Sequence, residues 1–254
     1  MFAILHTPHD LAPWVRCIWT MRGEASVAAE APIAPDGCCE WIVHLGDPPR
    51  VLRDGTWTRQ PRMFVFGQLQ GPLVLHNDRP AHVLAVRLHA HAAAALLGTA
   101  GRALLPTELS IPDLLRASPT RRWIGEFSAL EPAYRHMLAL LRGLASRARP
   151  FDPLALAATV AIDRAPADAR IDLLSRQLAV SPRTLERRFV DAVGLAPKRY
   201  ARIRRMQTCL DVLATARHSL AQAASLAGFA DQAHMTRELV ELAGCRPGER
   251  AAGA

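Results

Sequence analysis

Ser181-Pro-Arg-Thr-Leu-Glu-Arg-Arg-Phe-Val-Asp-Ala-Val-Gly194 and Asp231-Gln-Ala-His-Met-Thr-Arg-Glu-Leu-Val-Glu-Leu-Ala-Gly244 stand 50 residues apart and align position for position, with Pro197 matching Pro247 beyond them. A repeat at a fixed offset is one supersecondary unit used twice. In each copy a Ser or Asp, able to accept from free N–H groups, opens a helix, and a Gly able to take left-handed backbone closes it. Pro182 suits the first helical position, where a missing N–H costs nothing. Leu185 and Phe189 lie one turn apart on one face, as do Met235 and Leu239, so these faces are expected to pack inward. The opposite faces carry Arg183 and Arg187 in the first copy, and Gln232, Thr236 and Arg237 in the second.

Upstream of each copy the pattern predicts a short helix, over 171–179 and 220–227, followed by a tight turn at Val180 and at Gly228-Phe-Ala230. Short helix, turn, capped helix is the helix-turn-helix arrangement, whose second helix presents its N-terminal residues to base edges. Arginine paired to guanine and glutamine paired to adenine are the favoured chemistries for Arg183, Arg187, Arg237 and Gln232. Between the copies, Tyr200, Ile203, Met206, Leu210 and Leu213 recur at helical spacing over 197–214. At 1.5 Å per residue such a helix is about 27 Å long, comparable to the roughly 34 Å between successive major-groove segments on one DNA face. Lys198, Arg199, Arg202, Arg204 and Arg205 along this strut read as phosphate contacts, which set register without reading sequence.

These residues are similar to the DNA-binding domain of AraC/XylS-type transcriptional regulators. The resemblance rests on Leu174-Ser-Arg-Gln-Leu-Ala-Val-Ser-Pro-Arg-Thr-Leu-Glu-Arg-Arg-Phe189, Gly194-Leu-Ala-Pro-Lys198, Arg202-Ile-Arg-Arg-Met206 and Ala227-Gly-Phe-Ala-Asp-Gln-Ala-His-Met-Thr-Arg237. It implies a bipartite helical domain, binding to double-stranded promoter DNA, and activation or repression through RNA polymerase, with no cofactor and no catalysis. Base-contacting positions then fall on Arg183, Thr184, Glu186 and Arg187, and on Gln232, Ala233, His234, Thr236 and Arg237. Leu239 stands where that family usually has phenylalanine, and the tail from Gly244 to Arg250 lacks the aromatic residue that usually precedes the last arginine, which implies looser packing in the second unit.

Toward the N-terminus the apolar runs are short: Trp41-Ile-Val-His-Leu45, Met63-Phe-Val-Phe66, Leu73-Val-Leu75 and His82-Val-Leu-Ala-Val-Arg-Leu88. Turn-forming Pro35-Asp-Gly37, Gly46-Asp-Pro-Pro49, Asp54-Gly55 and Asn77-Asp-Arg-Pro80 separate them, as expected of strands in a small β-barrel or sandwich. Ala- and Leu-rich segments at 92–97, 111–115, 121–127, 134–145 and 153–162 predict a helical extension and linker. Together these give an α+β chain, with a β-rich domain and its helical extension over 1–165 and an all-α domain over 166–254. Pro35-Asp-Gly-Cys-Cys-Glu-Trp-Ile-Val-His-Leu-Gly46 and Phe66-Gly-Gln-Leu-Gln-Gly71 also resemble the β-rich N-terminal domain of one branch of these regulators. That resemblance implies a cupin-like module that senses a small-molecule effector or forms a homodimer.

Charge supports the division of labour. The chain of 254 residues carries a net +8, and residues 170–254 hold 14 basic against 8 acidic side chains, so a polyanion is the expected partner of the C-terminal end. No leader pattern opens the chain and no apolar run approaches the roughly 20 residues that span a bilayer, so a cytoplasmic protein without a membrane partner is expected. Five cysteines without C-x-x-C spacing argue against a disulfide framework and a four-cysteine zinc site. Cys38-Cys39 lacks an adjacent base and reads as structural. His89 and His91 share a strand face but have no carboxylate at ligand-like spacing, so no metal is assigned. Trp14, Trp19, Trp41 and Trp57 fit core positions better than an effector pocket. Two rival classes stand beside this reading: a DNA-tethered alkyl-transfer repair enzyme, whose zinc-cysteine cluster and reactive-cysteine motif are missing from the sequence, and an interaction module that does not read DNA.

Overall fold

The computed structural model describes residues 1–23, 31–77, 79–105, 108–110 and 129–250; the helical stretches expected at 111–115 and 121–127 lie outside them. In chain order the described strands are β1 (Phe2–Leu5), β2 (Val15–Arg22), β3 (Ala31–Ile33), β4 (Cys39–His44), β5 (Arg50–Arg53), β6 (Thr56–Arg59), β7 (Met63–Phe66), β8 (Leu73–His76), β9 (His82–Leu88) and β10 (Glu108–Ser110). They form a six-stranded sheet in the order β1-β2-β9-β4-β7-β10 and a four-stranded sheet in the order β3-β8-β5-β6. Every recorded pairing is antiparallel, with a register shift between Val15 and Cys17 where β2 meets β9. Asp54 and Gly55, at φ +46° and +74°, close the β5–β6 hairpin with two left-handed residues, the turn that matches strand twist.

Alternation along the strands decides what the larger sheet buries. Ile18, Cys39, Trp41, Val43, Val65, Leu84, Val86 and Leu88 share one cluster with Ala133, Met137, Leu138 and Leu141. The last four lie on one face of α2 (Leu130–Ala145), which caps the sheet together with the short α1 (Ala93–Leu97). Phe64, Phe66 and Ala85, of opposite parity, are buried as well, so the central strands are covered on both faces.

The rest of the described chain is helical: α3 (Pro153–Arg164), α4 (Ile171–Gln177), α5 (Pro182–Val193), α6 (Pro197–Ala214), α7 (Leu220–Leu226), α8 (Gln232–Ala243) and α9 (Pro247–Arg250). Their apolar faces form a second cluster containing Leu185, Phe189, Tyr200, Ile203, Met206, Met235, Leu239 and Leu242. Helix α3, part of the expected linker, sends Leu154, Ala158 and Ile162 into this same cluster. Asp152 explains its placement. Its carboxylate accepts from the Leu154 and Ala155 amides as N-cap and also pairs with Arg188 of α5 at 2.8 Å, so one side chain starts α3 and ties it to the repeat.

The two parts touch closely at glycine. A Cβ on Gly101, in the 3-10 turn Gly101–Leu104, would fall 2.6 Å from the Gly194 nitrogen and 2.6 Å from the Val190 carbonyl at the end of α5. Gly143 on α2 has open space instead. Gly101→Ala should therefore cost about 1–3 kcal/mol of stability by forcing the halves apart, whereas Gly143→Ala should be neutral or gain up to about 1 kcal/mol. Urea unfolding of the two variants beside the parent checks both signs.

Candidate nucleic-acid interface

The repeat folds twice as its sequence requires. Ser181 Oγ accepts from the Thr184 amide at 3.1 Å and Asp231 Oδ1 from the His234 amide at 2.6 Å, giving α5 and α8 their N-caps. Gly194 and Gly244 close them in left-handed backbone, at φ +91° and +69°. Leu185, Phe189, Met235 and Leu239 are fully buried, so Leu239 occupies in the second unit the core position that Phe189 holds in the first. The preceding turns pass through Ala179 and Gly228, both at positive φ, and α7 opens with a reciprocal capping box between Ser219 and Gln222.

The outward faces divide the expected base readers into two kinds. Arg183, Glu186, Arg187, Gln232 and Arg237 are exposed, and their side chains make no ion pair or hydrogen bond among the described residues. Ala233 is exposed beside them. Three others are already engaged: the Thr184 hydroxyl lies 2.9 Å from Ser181 Oγ, the Thr236 hydroxyl donates to the Gln232 carbonyl at 2.9 Å, and the His234 ring stands edge-on to Phe229 at 5.3 Å. These geometries hold the ends of α5 and α8 in shape, while the free guanidinium and amide groups point away from the core.

The strut α6 spans Pro197–Ala214, the range expected, and buries Tyr200, Ala201, Ile203, Met206 and Cys209. Most of its cations, expected to meet phosphates, also have partners within the protein. Arg199 pairs with Glu241 at 2.8 Å and donates to the Gln70 carbonyl. Arg202 donates to both oxygens of Glu238 and reaches Glu241 at 2.6 Å, and these carboxylates hold its guanidinium well above the usual range despite burial. Arg204 pairs with Asp163 at 2.8 Å and donates to the Asp36 carbonyl at 2.9 Å. Arg205 lies over the Phe229 ring at 5.7 Å. Four of the five expected phosphate contacts thus have partners inside the protein, because α6 is the central helix and its sides meet α8, α3 and the β-rich part. Lys198 alone of the five is exposed and unpaired among the described residues.

The β-rich part contacts α5, α6 and the end of α8. The Gly37 backbone lies against the Tyr200 ring, where a Cβ would come within 2.7 Å, and Gln207 donates to the Pro35 carbonyl at 2.6 Å. Gly101 meets the end of α5, and Pro32 and Pro72 meet Gly244 at the end of α8. None of these contacts, nor the Arg188–Asp152 pair, was visible beforehand; only Asp152-Pro153, an N-cap followed by proline, offered a signal. Among the described residues no group of three or more His, Cys, Asp and Glu could hold a metal ion, and no helix is long and apolar enough to cross a membrane.

Replacing Arg202 should expose the difference between structural and outward arginines. Arg202→Met leaves Glu238 half-buried without its partner and should cost about 1–3 kcal/mol. Arg187→Ala should stay within about 0.5 kcal/mol of the parent. Thermal and urea unfolding of both variants measure this.

Comparison with known proteins agrees with this geometry. A helix-turn-helix domain model matches residues 174–252, and a model described as a domain of unknown function, DUF6597, matches residues 5–110. No curated protein sequence matches. ToxT from Vibrio cholerae O395 is 11% identical, with a TM-score of 0.52 over 92% of this chain and 97% of its own. A second structure of ToxT from Vibrio cholerae is 10% identical, with a TM-score of 0.51 over 99% of this chain and 98% of its own. The C-terminal domain of AraT, a response regulator from Geobacillus stearothermophilus, is 18% identical over 41% of this chain and 87% of its own, at a TM-score of 0.39. The ToxT likeness extends to the order of parts, a β-rich half followed by a helical one. Residues 174–252 are therefore a helix-turn-helix domain of the AraC/XylS type, set in a chain built over nearly its whole length like ToxT.

Proposed function

We propose that this protein is a sequence-specific regulator of transcription that reads two adjacent major-groove segments of promoter DNA, one with α5 and one with α8. The observation that carries this reading is the pair of capped helices on one core, each with arginine or glutamine left unpartnered on its outer face. Arg183, Glu186 and Arg187 read the first segment, and Gln232, Ala233 and Arg237 the second. Thr184, His234 and Thr236 line the same faces and take part through their exposed atoms. Lys198 contributes a phosphate contact, while Arg199, Arg202, Arg204 and Arg205 hold the strut in place. Binding upstream of a gene, the protein acts through RNA polymerase, in the cytoplasm.

The working division places residues 1–165 in a regulatory part, which senses an effector or pairs with a second copy, and 166–254 in the DNA-reading part. The way the β-rich part rests on α5, α6 and α8 supports regulation, since anything that changes this docking changes how the two recognition helices are held. The protein acts by binding and is not an enzyme. An alkyl-transfer reading needs an accessible thiolate, but Cys38, Cys39, Cys209 and Cys245 are buried, and burial pushes up the thiols of Cys38, Cys39 and Cys209, the last to about 11, as well as that of the half-buried Cys17.

Selection of genomic fragments on the purified protein, followed by fluorescence anisotropy across salt concentrations, tests the reading. A shared motif should emerge, affinity should fall with salt, and Arg187→Ala and Arg237→Ala should each cost about 1–3 kcal/mol at a different half of the motif. Absence of any enriched motif, with both variants binding like the parent, would leave the repeat without this role.

A further inference from the structure

A cavity of about 240 Å³ opens between the β-rich part and the strut helix. Ile33, Ala34, Phe66 and Leu69 make its apolar wall, and Asp36, Glu40 and Arg87 its polar end. Gln207 of α6 contributes the side belonging to the helical half.

The charges at the polar end are unequal. Arg87 is the only cation in the lining, and it is already shared: Nε lies 2.9 Å from Asp36 Oδ2, and Nη2 2.8 Å from Glu40 Oε1. Asp36 Oδ1 accepts from the Cys38 amide at 2.8 Å, and Glu40 Oε1 accepts also from Trp19 Nε1 at 3.1 Å. Glu40 Oε2 has no hydrogen-bond donor among the described residues. Gln68, behind the lining between Gly67 and Leu69, is fully buried and donates to the Gly37 carbonyl at 3.1 Å, which holds this part of the wall to the Gly37 turn. Two further guanidiniums stand behind the lining, Arg16 donating to Cys38 Sγ at 3.7 Å and Arg204 paired with Asp163, but within the lining itself two carboxylates face one guanidinium, which favours a donor carrying positive charge over an anion. Burial, then the neighbouring Asp36, holds the Glu40 carboxyl above its usual range, a state that an incoming cation would relieve.

We infer that this cavity binds a small organic cation, an ammonium or amidinium on a compact apolar body, with the charge at Glu40 and the body against Ile33, Phe66 and Leu69. Resting on the regulator reading, it names the effector's chemical class and its route of action. The segments that line the cavity, 33–40 and 66–69, are continuous with those that rest on α6 through Pro35, Asp36 and Gly37 and on Gly244 through Pro32 and Pro72. A ligand wedged beside Gln207 therefore acts where the two halves are joined, and its occupancy shifts operator affinity.

Calorimetric titration of the full-length protein with benzylamine, cyclohexylmethylamine and benzamidine, beside neutral benzyl alcohol and anionic benzoate, tests this. At least one of the cations should bind saturably at millimolar concentration or below, and benzoate should not. Glu40→Gln should weaken the cation about tenfold or more while keeping an acceptor for Arg87 and Trp19. Ile33→Trp, at a partly exposed rim position, should block the cavity independently of charge. Circular dichroism confirms that each variant is folded, and if Glu40→Gln is not, the ligand series and Ile33→Trp still decide. Equal binding of all three charge types, or no binding of any cation to the folded parent, overturns the inference. Operator affinity, measured with and without the cation, is a separate readout. A protein that binds its operator but no cation loses this inference and keeps the regulator reading; one that binds the cation with unchanged operator affinity loses the proposed coupling.

Discussion

The buried side of α6 is the constraint on which the rest of the molecule depends. Tyr200 sits almost wholly inside, and a phenol taken out of water must place its hydroxyl on a partner. It donates to Asp163 at 2.9 Å, which also receives Arg204 at 2.8 Å, so α3 is bound to α6 by one shared carboxylate. The same ring packs on Phe189 of α5 at 5.6 Å between centroids and on the Gly37 turn of the β-rich part. On the opposite unit, Arg202 clasps Glu238 and Glu241 of α8. One helix thus fixes the relative positions of two otherwise similar units and meets the N-terminal half as well.

This arrangement divides the arginines by role. Arg199, Arg202 and Arg204 on α6 meet carboxylates and carbonyls of neighbouring elements that compensate their desolvation, while Arg205 lies over an aromatic ring and its buried Nε has no hydrogen-bond partner among the described residues. Those on the outer faces of α5 and α8 have no internal partner among the described residues and remain available to an external anion. A count of basic residues near the repeat cannot separate the two groups, whereas the position of each on its helix and the identity of the facing residue can. The segments that hold the β-rich half on α6 also wall the cavity, which is what places the proposed ligand site where the two halves join.

The helical half was legible in the sequence because its signals are local. Ser181, Asp231, Gly194 and Gly244 announce helix ends through their own chemistry, and Leu185, Phe189, Met235 and Leu239 announce the buried face through spacing alone. The β-rich half was only partly legible. The runs at β4, β7, β8 and β9 stood out because their strands are largely apolar, but Arg50–Arg53 and Thr56–Arg59 alternate with charged and polar residues on an exposed hairpin, and Phe2–Leu5 lies at the sheet edge with Phe2 and Ile4 turned outward. Sheet order and the docking of the two halves depend on pairings between residues far apart in the chain, such as Arg204 with Asp36 and Arg188 with Asp152. No local pattern encodes them. The internal partners of Arg199, Arg202 and Arg204 were hidden for the same reason: these carboxylates and carbonyls lie on other elements.

The central claim is that two recognition helices, fixed by one strut, engage one face of the duplex together. Hydroxyl-radical footprinting on a selected genomic site tests it most directly. The account predicts two protected blocks on the same face, centred about one helical turn, roughly 10 base pairs, apart. A single block, or two blocks whose spacing varies from site to site, would contradict a rigid bipartite reader.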